Sequence, residues 1–152
     1  MAYGSTCCPR MRPRTYSTPE LSFAIRYLHA TAGLNISASH NHPDDNGGKF
    51  YNDRGAQEVP PDDEAMASQV ERVSHIEMLD FAAAKATGLM TWITPDVHEA
   101  YVALNVAQSL HPTARQAHLV FTPLHGTANT TVGRSVAAGR VSGRSGGGTS
   151  GA

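Results

Sequence analysis

An α/β layer architecture is what this chain of 152 residues predicts. Three observations carry the expectation. Apolar residues fall at helical spacing after Thr18-Pro19. Short runs of strand-forming residues stand at 34–37, 49–51 and 118–121. These runs alternate with further helical segments, and no internal repeat is present.

The elements follow in order. Met1 to Arg14 has no usable periodicity and is expected to be an irregular lead-in. Thr18 can cap a helix, and Pro19 suits its first position, where a missing N–H costs nothing. Leu21, Ala24, Ile25 and Leu28 then form one apolar face, and Thr31-Ala32-Gly33 is the expected stop. Leu34 to Ser37 is a strand that runs into a polar loop, Ser39 to Gly48, rich in turn formers. Lys49-Phe50-Tyr51 is the second strand, and Asn52 to Gly55 turns the chain. A helix is expected over Glu64 to Leu79. Residues 80–95 are ambiguous between helix and strand. Pro95-Asp96 opens a further helix carrying Val97, Tyr101, Leu104 and Leu110. His118 to Phe121 is expected as a buried strand, followed by a loop from Pro123 to Thr127 and another helix start. From about Ala137 the chain turns Gly/Ser/Arg-rich, too poor in apolar surface to offset its ordering entropy.

Composition bounds the function. Lys+Arg total 12 against Asp+Glu 13, so charge gives no reason to expect nucleic acid or an anionic membrane as partner. No apolar run approaches the roughly 20 residues of a membrane-spanning helix. The N-terminus has Arg10, Arg12 and Arg14 without the apolar stretch of a secretory signal. Cys7 and Cys8 are adjacent, which disfavours an intrachain disulfide, and no zinc-ligand spacing exists. This usage fits a cytoplasmic protein.

One segment carries chemistry. Ser37-Ala38-Ser39-His40-Asn41 sets a serine directly after a strand, with His40 beside it and Lys49 at the end of the loop. A serine that holds a phosphoryl group needs cationic or N–H donors nearby, and a group to move a proton. By spacing alone, a polar turn with Ser39 and Asn41 bonding local backbone is the favoured reading. His40, His42, Asp44 and Asp45 could also be taken for a metal-binding His/Asp loop, although residues so close rarely converge on one ion without a distant ligand. A third reading is a non-catalytic binding module using Arg134, Arg140 and Arg144 of the glycine-rich tail; a solvated tail is the plainer account.

The run Ile36-Ser37-Ala38-Ser39-His40-Asn41-His42-Pro43-Asp44-Asp45-Asn46-Gly47-Gly48-Lys49 is very similar to the phosphoserine signature of the α-D-phosphohexomutase superfamily. Ser17 to Leu21 resembles that family's Thr-Pro helix start, and Tyr51, Gly55-Ala56-Gln57 and Pro60-Pro61-Asp62 resemble its phosphoglucomutase and phosphopentomutase branch. Val120 to Gly126 resembles the opening of the family's second domain. The resemblance implies a partial first domain over 15–94, an α/β fold with a mixed sheet. It further implies the start of the second domain over 95–136 and a disordered tail over 137–152.

It also implies phosphoryl transfer on a hexose or pentose phosphate through phosphorylated Ser39. Ser39 would supply one oxygen ligand to Mg2+, His40 would assist positioning or proton transfer, and Lys49 would be the acid/base candidate. His125 and Gly126 would lie near the cleft between the two domains. The partners implied are a sugar phosphate and a glucose 1,6-bisphosphate-type activator. Departures are equally specific. The family's Gly-rich N-terminal arginine segment, its Asp-x-Asp-x-Asp magnesium loop and its sugar- and phosphate-recognition regions have no counterpart here. The chain therefore resembles a fragment, expected to be inactive alone and to self-associate through exposed edges.

Overall fold

The computed structural model describes residues 16–42, 44–114, 116–138 and 143–145. The expectations for Met1 to Arg14, Cys7 and Cys8, Pro43 and Arg140 lie outside them. The observed architecture is mixed α/β. One compact unit is Pro19–Tyr101, and a second includes the chain from Val102. The division falls inside a helix.

In the first unit, α1 (Thr18–Tyr27) packs Ala24 and Ile25 inward, while Leu28 lies beyond its end and is exposed. The helix stops earlier than Thr31-Ala32-Gly33, and its backbone gives the reason. Ala30 N–H donates to the Ile25 carbonyl and His29 N–H to that of Arg26, the paired bonds of a Schellman termination. His29 takes the left-handed position, φ 52°, where glycine is usual.

Freed from the helix, Ala32 and Gly33 join strand β1 (Ala32–Ile36), antiparallel to β2 (Gly48–Asn52) in the register Ala32↔Asn52 to Ile36↔Gly48. Gly33 leaves room for Ile25: a Cβ there would stand 2.4 Å from Ile25 Cδ1, and that side chain would have to shift. Gly55 is needed for its φ of 72° and because a Cβ would stand 2.4 Å from the Ser22 carbonyl oxygen. These two glycines let the hairpin lie against α1.

Helix α2 (Asp62–Glu71) carries Asp62, Asp63 and Glu64 in its first turn, where the helix dipole favours acids. It ends well short of Leu79, and Val73, Ile76, Met78 and Leu79 beyond it are exposed. The ambiguous stretch resolves as α3 (Phe81–Ala86), capped by Asp80, whose Oδ2 accepts from Ala83 N–H at 3.0 Å. No strand forms at 91–94. Instead Trp92 lies against Phe81, with Lys85 Nζ 5.5 Å from the Trp92 ring centroid. Helix α4 (Pro95–Ala107) begins at the expected proline; Val97 and Val102 are buried, whereas Leu104 and Leu110 are exposed.

In the second unit, β3 (Leu119–Phe121) is shorter than expected and is not buried, Val120 being 97% exposed. It pairs in parallel with β4 (Gly143–Ser145). A single 3-10 turn, Ala128–Thr130, leads into α5 (Val132–Ala138). Of the tail expected from 137, Ala137 and Ala138 thus close α5 and 143–145 form β4.

Candidate active site

The hairpin builds the serine loop. Beyond the Ile36↔Gly48 pair, Ser37 N–H donates to the Gly47 carbonyl at 2.9 Å and Gly47 N–H to that of Ser37 at 3.2 Å. The ladder so extended leaves residues 38–46 as the loop. Its first turn is closed by Asn41 N–H to the Ala38 carbonyl, 3.0 Å. Ser39 is the first central residue of that turn and has φ 56°. Such turns favour Gly, Asn or Asp there, because a Cβ in left-handed backbone costs on the order of 1–2 kcal/mol. The Ser37 hydroxyl offsets part of the cost by accepting the Ser39 N–H at 3.0 Å. The turn thus presents the Ser39 hydroxyl outward, and Ser39 and His40 are both exposed.

Ser39 Oγ lies 3.3 Å from His40 Nδ1. A hydroxyl and an imidazole nitrogen at that distance can exchange a proton. Lys49 is half-buried in β2, opposite Asn35, and makes no hydrogen bond with Ser39 or His40. The geometry therefore joins two of the three expected catalytic residues directly. His42 Nδ1 stands 3.2 Å from Asp44 Oδ2, a pair almost wholly in solvent. His125 and Gly126 belong to a separate exposed turn, closed by Gly126 N–H to the Pro123 carbonyl at 2.8 Å.

A magnesium ion requires near-octahedral oxygen ligands. Ser39 offers one hydroxyl oxygen, and the Asp44 side chain is 92% exposed. Among the described residues no three His, Cys, Asp or Glu side chains converge to hold a metal ion. By themselves these residues do not fit the ion. Nor, among them, is any helix long and apolar enough to cross a membrane.

The polar residues that sequence reasoning missed lie between two helices. Glu20, in the first turn of α1, and His98, on α4, are each 1% exposed, and Glu20 Oε1 is 2.6 Å from His98 Nδ1. The partner of His98 is 78 residues away in the chain. His98 Nε2 is buried without a hydrogen-bond partner. The Phe23 and Tyr101 rings meet at a tilt of 53° with centroids 5.4 Å apart, so α1 and the first part of α4 meet through both contacts. Neither residue follows a motif, and only the packed structure brings them together.

Comparison with known proteins agrees with the hairpin and its loop. Residues 8–77 match the family model for phosphoglucomutase/phosphomannomutase, alpha/beta/alpha domain I. The phosphoglucomutase of Staphylococcus saprophyticus is 36% identical over 115 residues, 74% of this chain and 21% of the relative. The phosphoglucomutase of Staphylococcus epidermidis is 39% identical over 116 residues, with the same shares. The phosphomannomutase of Mycoplasmoides pirum is 35% identical over 111 residues, 70% of this chain and 20% of the relative. The chain thus spans about a fifth of the length of these curated relatives. With a serine on a hairpin loop, a histidine beside it and a domain I match enclosing both, the chain belongs to the phosphoglucomutase/phosphomannomutase family of the α-D-phosphohexomutase superfamily.

Proposed function

We propose that Ser39 is the phosphoryl carrier of a phosphosugar mutase, acting on a hexose or pentose phosphate. The observation that carries the reading is the exposed Ser39 hydroxyl, held in left-handed backbone and 3.3 Å from His40 Nδ1. Backbone strain of this kind collects at sites of function, where the surrounding structure maintains it.

In the proposed step a sugar bisphosphate lies with one phosphorus in line with Ser39 Oγ. The P–Oγ bond forms as the P–O bond to the sugar breaks, and the Oγ hydrogen passes to His40 Nδ1. The sugar monophosphate leaves as an alcohol, its oxygen taking a proton from Lys49 or solvent. Phosphoserine then passes its group to the free hydroxyl of a sugar monophosphate, whose proton goes to Lys49 or solvent while Oγ takes one back from His40, and removal of the other phosphoryl group of the bisphosphate so formed completes an isomerisation. Residues 15–94 form the first domain in this reading and 95–136 open the second.

The test is mass spectrometry of the chain incubated with glucose 1,6-bisphosphate and magnesium. One added phosphate on Ser39 is expected, absent from Ser39→Ala. Phosphate on a different residue of the folded chain, or none at all, overturns the assignment.

A further inference from the structure

A recess of about 380 Å³ lies at the other end of the β1–β2 hairpin from the serine loop, lined by Arg26, His29, Ala30, Asp53 and Arg54. Its size falls in the range of small-molecule sites, about 300–1,000 Å³. Five residues of strand separate it from Ser37, roughly 17 Å at the usual rise per residue, so it is a different place from the loop.

The wall is built and braced. Asn52 Oδ1 accepts from both Arg54 N–H and Ala56 N–H at 3.1 Å. Gly55 N–H donates to the Asn52 carbonyl and Asn52 N–H to that of Ala56, each at 2.9 Å. The Ser22 hydroxyl donates to the Gly55 carbonyl at 2.6 Å and ties the turn to α1. Arg26 Nη1 reaches across to the Arg54 carbonyl at 3.4 Å and to Ser22 Oγ at 3.5 Å.

Two features bear on a ligand. Arg26 and Arg54 both line the recess, and among the described residues neither makes an ion pair, although Asp53 lies in the same wall. In addition, His29 occupies the left-handed position that glycine fills most cheaply. Support for the helix dipole accounts for a basic residue in the last turn of α1. It does not account for Arg54, which is off the helix, nor for Arg26 bonding the turn rather than the helix-end carbonyls.

We propose that this recess binds a small ligand bearing an oxyanion, a phosphate monoester or a carboxylate. Arginine presents donors in a planar fork that matches either group. Asp53 adds an acceptor, so a ligand with hydroxyls beside its oxyanion fits better than a bare ion.

The test is an NMR titration of the full chain, following backbone amides, with three probes: glycerol 3-phosphate, inorganic phosphate and citrate. Saturable shifts are expected at Ala30, Arg54 and Gly55 and not at Ser39 to Asp45. Glycerol 3-phosphate is expected to bind more tightly than inorganic phosphate; saturation by citrate instead identifies a carboxylate ligand. Arg54→Gln leaves the carbonyl contact of the turn in place and should weaken binding about ten-fold, the loss of one charged hydrogen bond. His29→Gly should weaken binding while raising the melting temperature, so the loss cannot be laid to unfolding. The proposal is overturned by shifts that track ionic strength without saturating, by saturation confined to the serine loop, or by binding indifferent to Arg54→Gln.

Discussion

Ser39 holds a backbone conformation that its own side chain opposes, and that opposition can be measured. Its φ of 56° belongs to glycine, yet the proposed chemistry needs a hydroxyl on that Cβ. Ser39→Ala removes the hydroxyl and keeps the Cβ in left-handed backbone. Ser39→Gly removes both. The glycine variant should therefore be the more stable of the two by about 1 kcal/mol, after allowing for the greater freedom of glycine in the unfolded chain. Neither should accept phosphate. Chemical denaturation of both proteins decides the point: equal stability would mean that the turn relaxes out of the left-handed region in solution. The serine was legible in the sequence because its signature is contiguous, fourteen residues from Ile36 to Lys49. The conformation that strains it was not, since the motif contains glycines only at 47 and 48, well after the position that most favours one.

At the scale of elements, the hairpin rests on α1, and α1 is held to α4 by a polar contact inside an otherwise small core. Among the described residues of Pro19–Tyr101 the buried apolar side chains are Ala24, Ile25, Tyr51 and Val97. Against so little apolar burial, Glu20 and His98 weigh heavily. His98→Leu should cost about 3–5 kcal/mol, because it strands the Glu20 carboxylate without its donor. Glu20→Met combined with His98→Leu removes both polar groups at similar volume and should recover most of that loss. Urea unfolding of the single and double variants makes the comparison. A double variant no more stable than His98→Leu would show that the two residues act separately. This contact was invisible in the sequence, where 78 residues separate its partners. Helix starts, by contrast, were legible from Thr18-Pro19 and Pro95-Asp96, because capping is local. The overlong expectation for α2 has the converse cause. Apolar residues continue from Val70 to Leu79, but spacing alone does not reveal whether a surface exists to receive them, and in the structure Met78 is 92% exposed.

For the whole molecule, the same exposed residues and the site's charge balance bear on what the chain can do by itself. Isomerisation demands more than a phosphorylated serine. The migrating group must have its charge neutralised, commonly by a metal ion. Among the described residues no metal-holding cluster exists, and the Asp44 side chain is 92% exposed. The intermediate must also be held in two opposite orientations, so that either phosphoryl group reaches Ser39. That requires binding groups around the loop, yet Ser39 to His42 are all exposed, and the recess with two arginines lies at the far end of the hairpin. Positioning is worth roughly 7–11 kcal/mol of barrier in well-oriented reactions. Without it, a single transfer to Ser39 and sustained turnover become separable events. The chain of 152 residues should therefore accept phosphate on Ser39 while a coupled assay for glucose 1-phosphate to glucose 6-phosphate stays at background. Turnover above background that vanishes in Ser39→Ala would overturn this expectation. It would mean that the chain, alone or with another copy of itself, assembles the missing charge and binding groups around the loop.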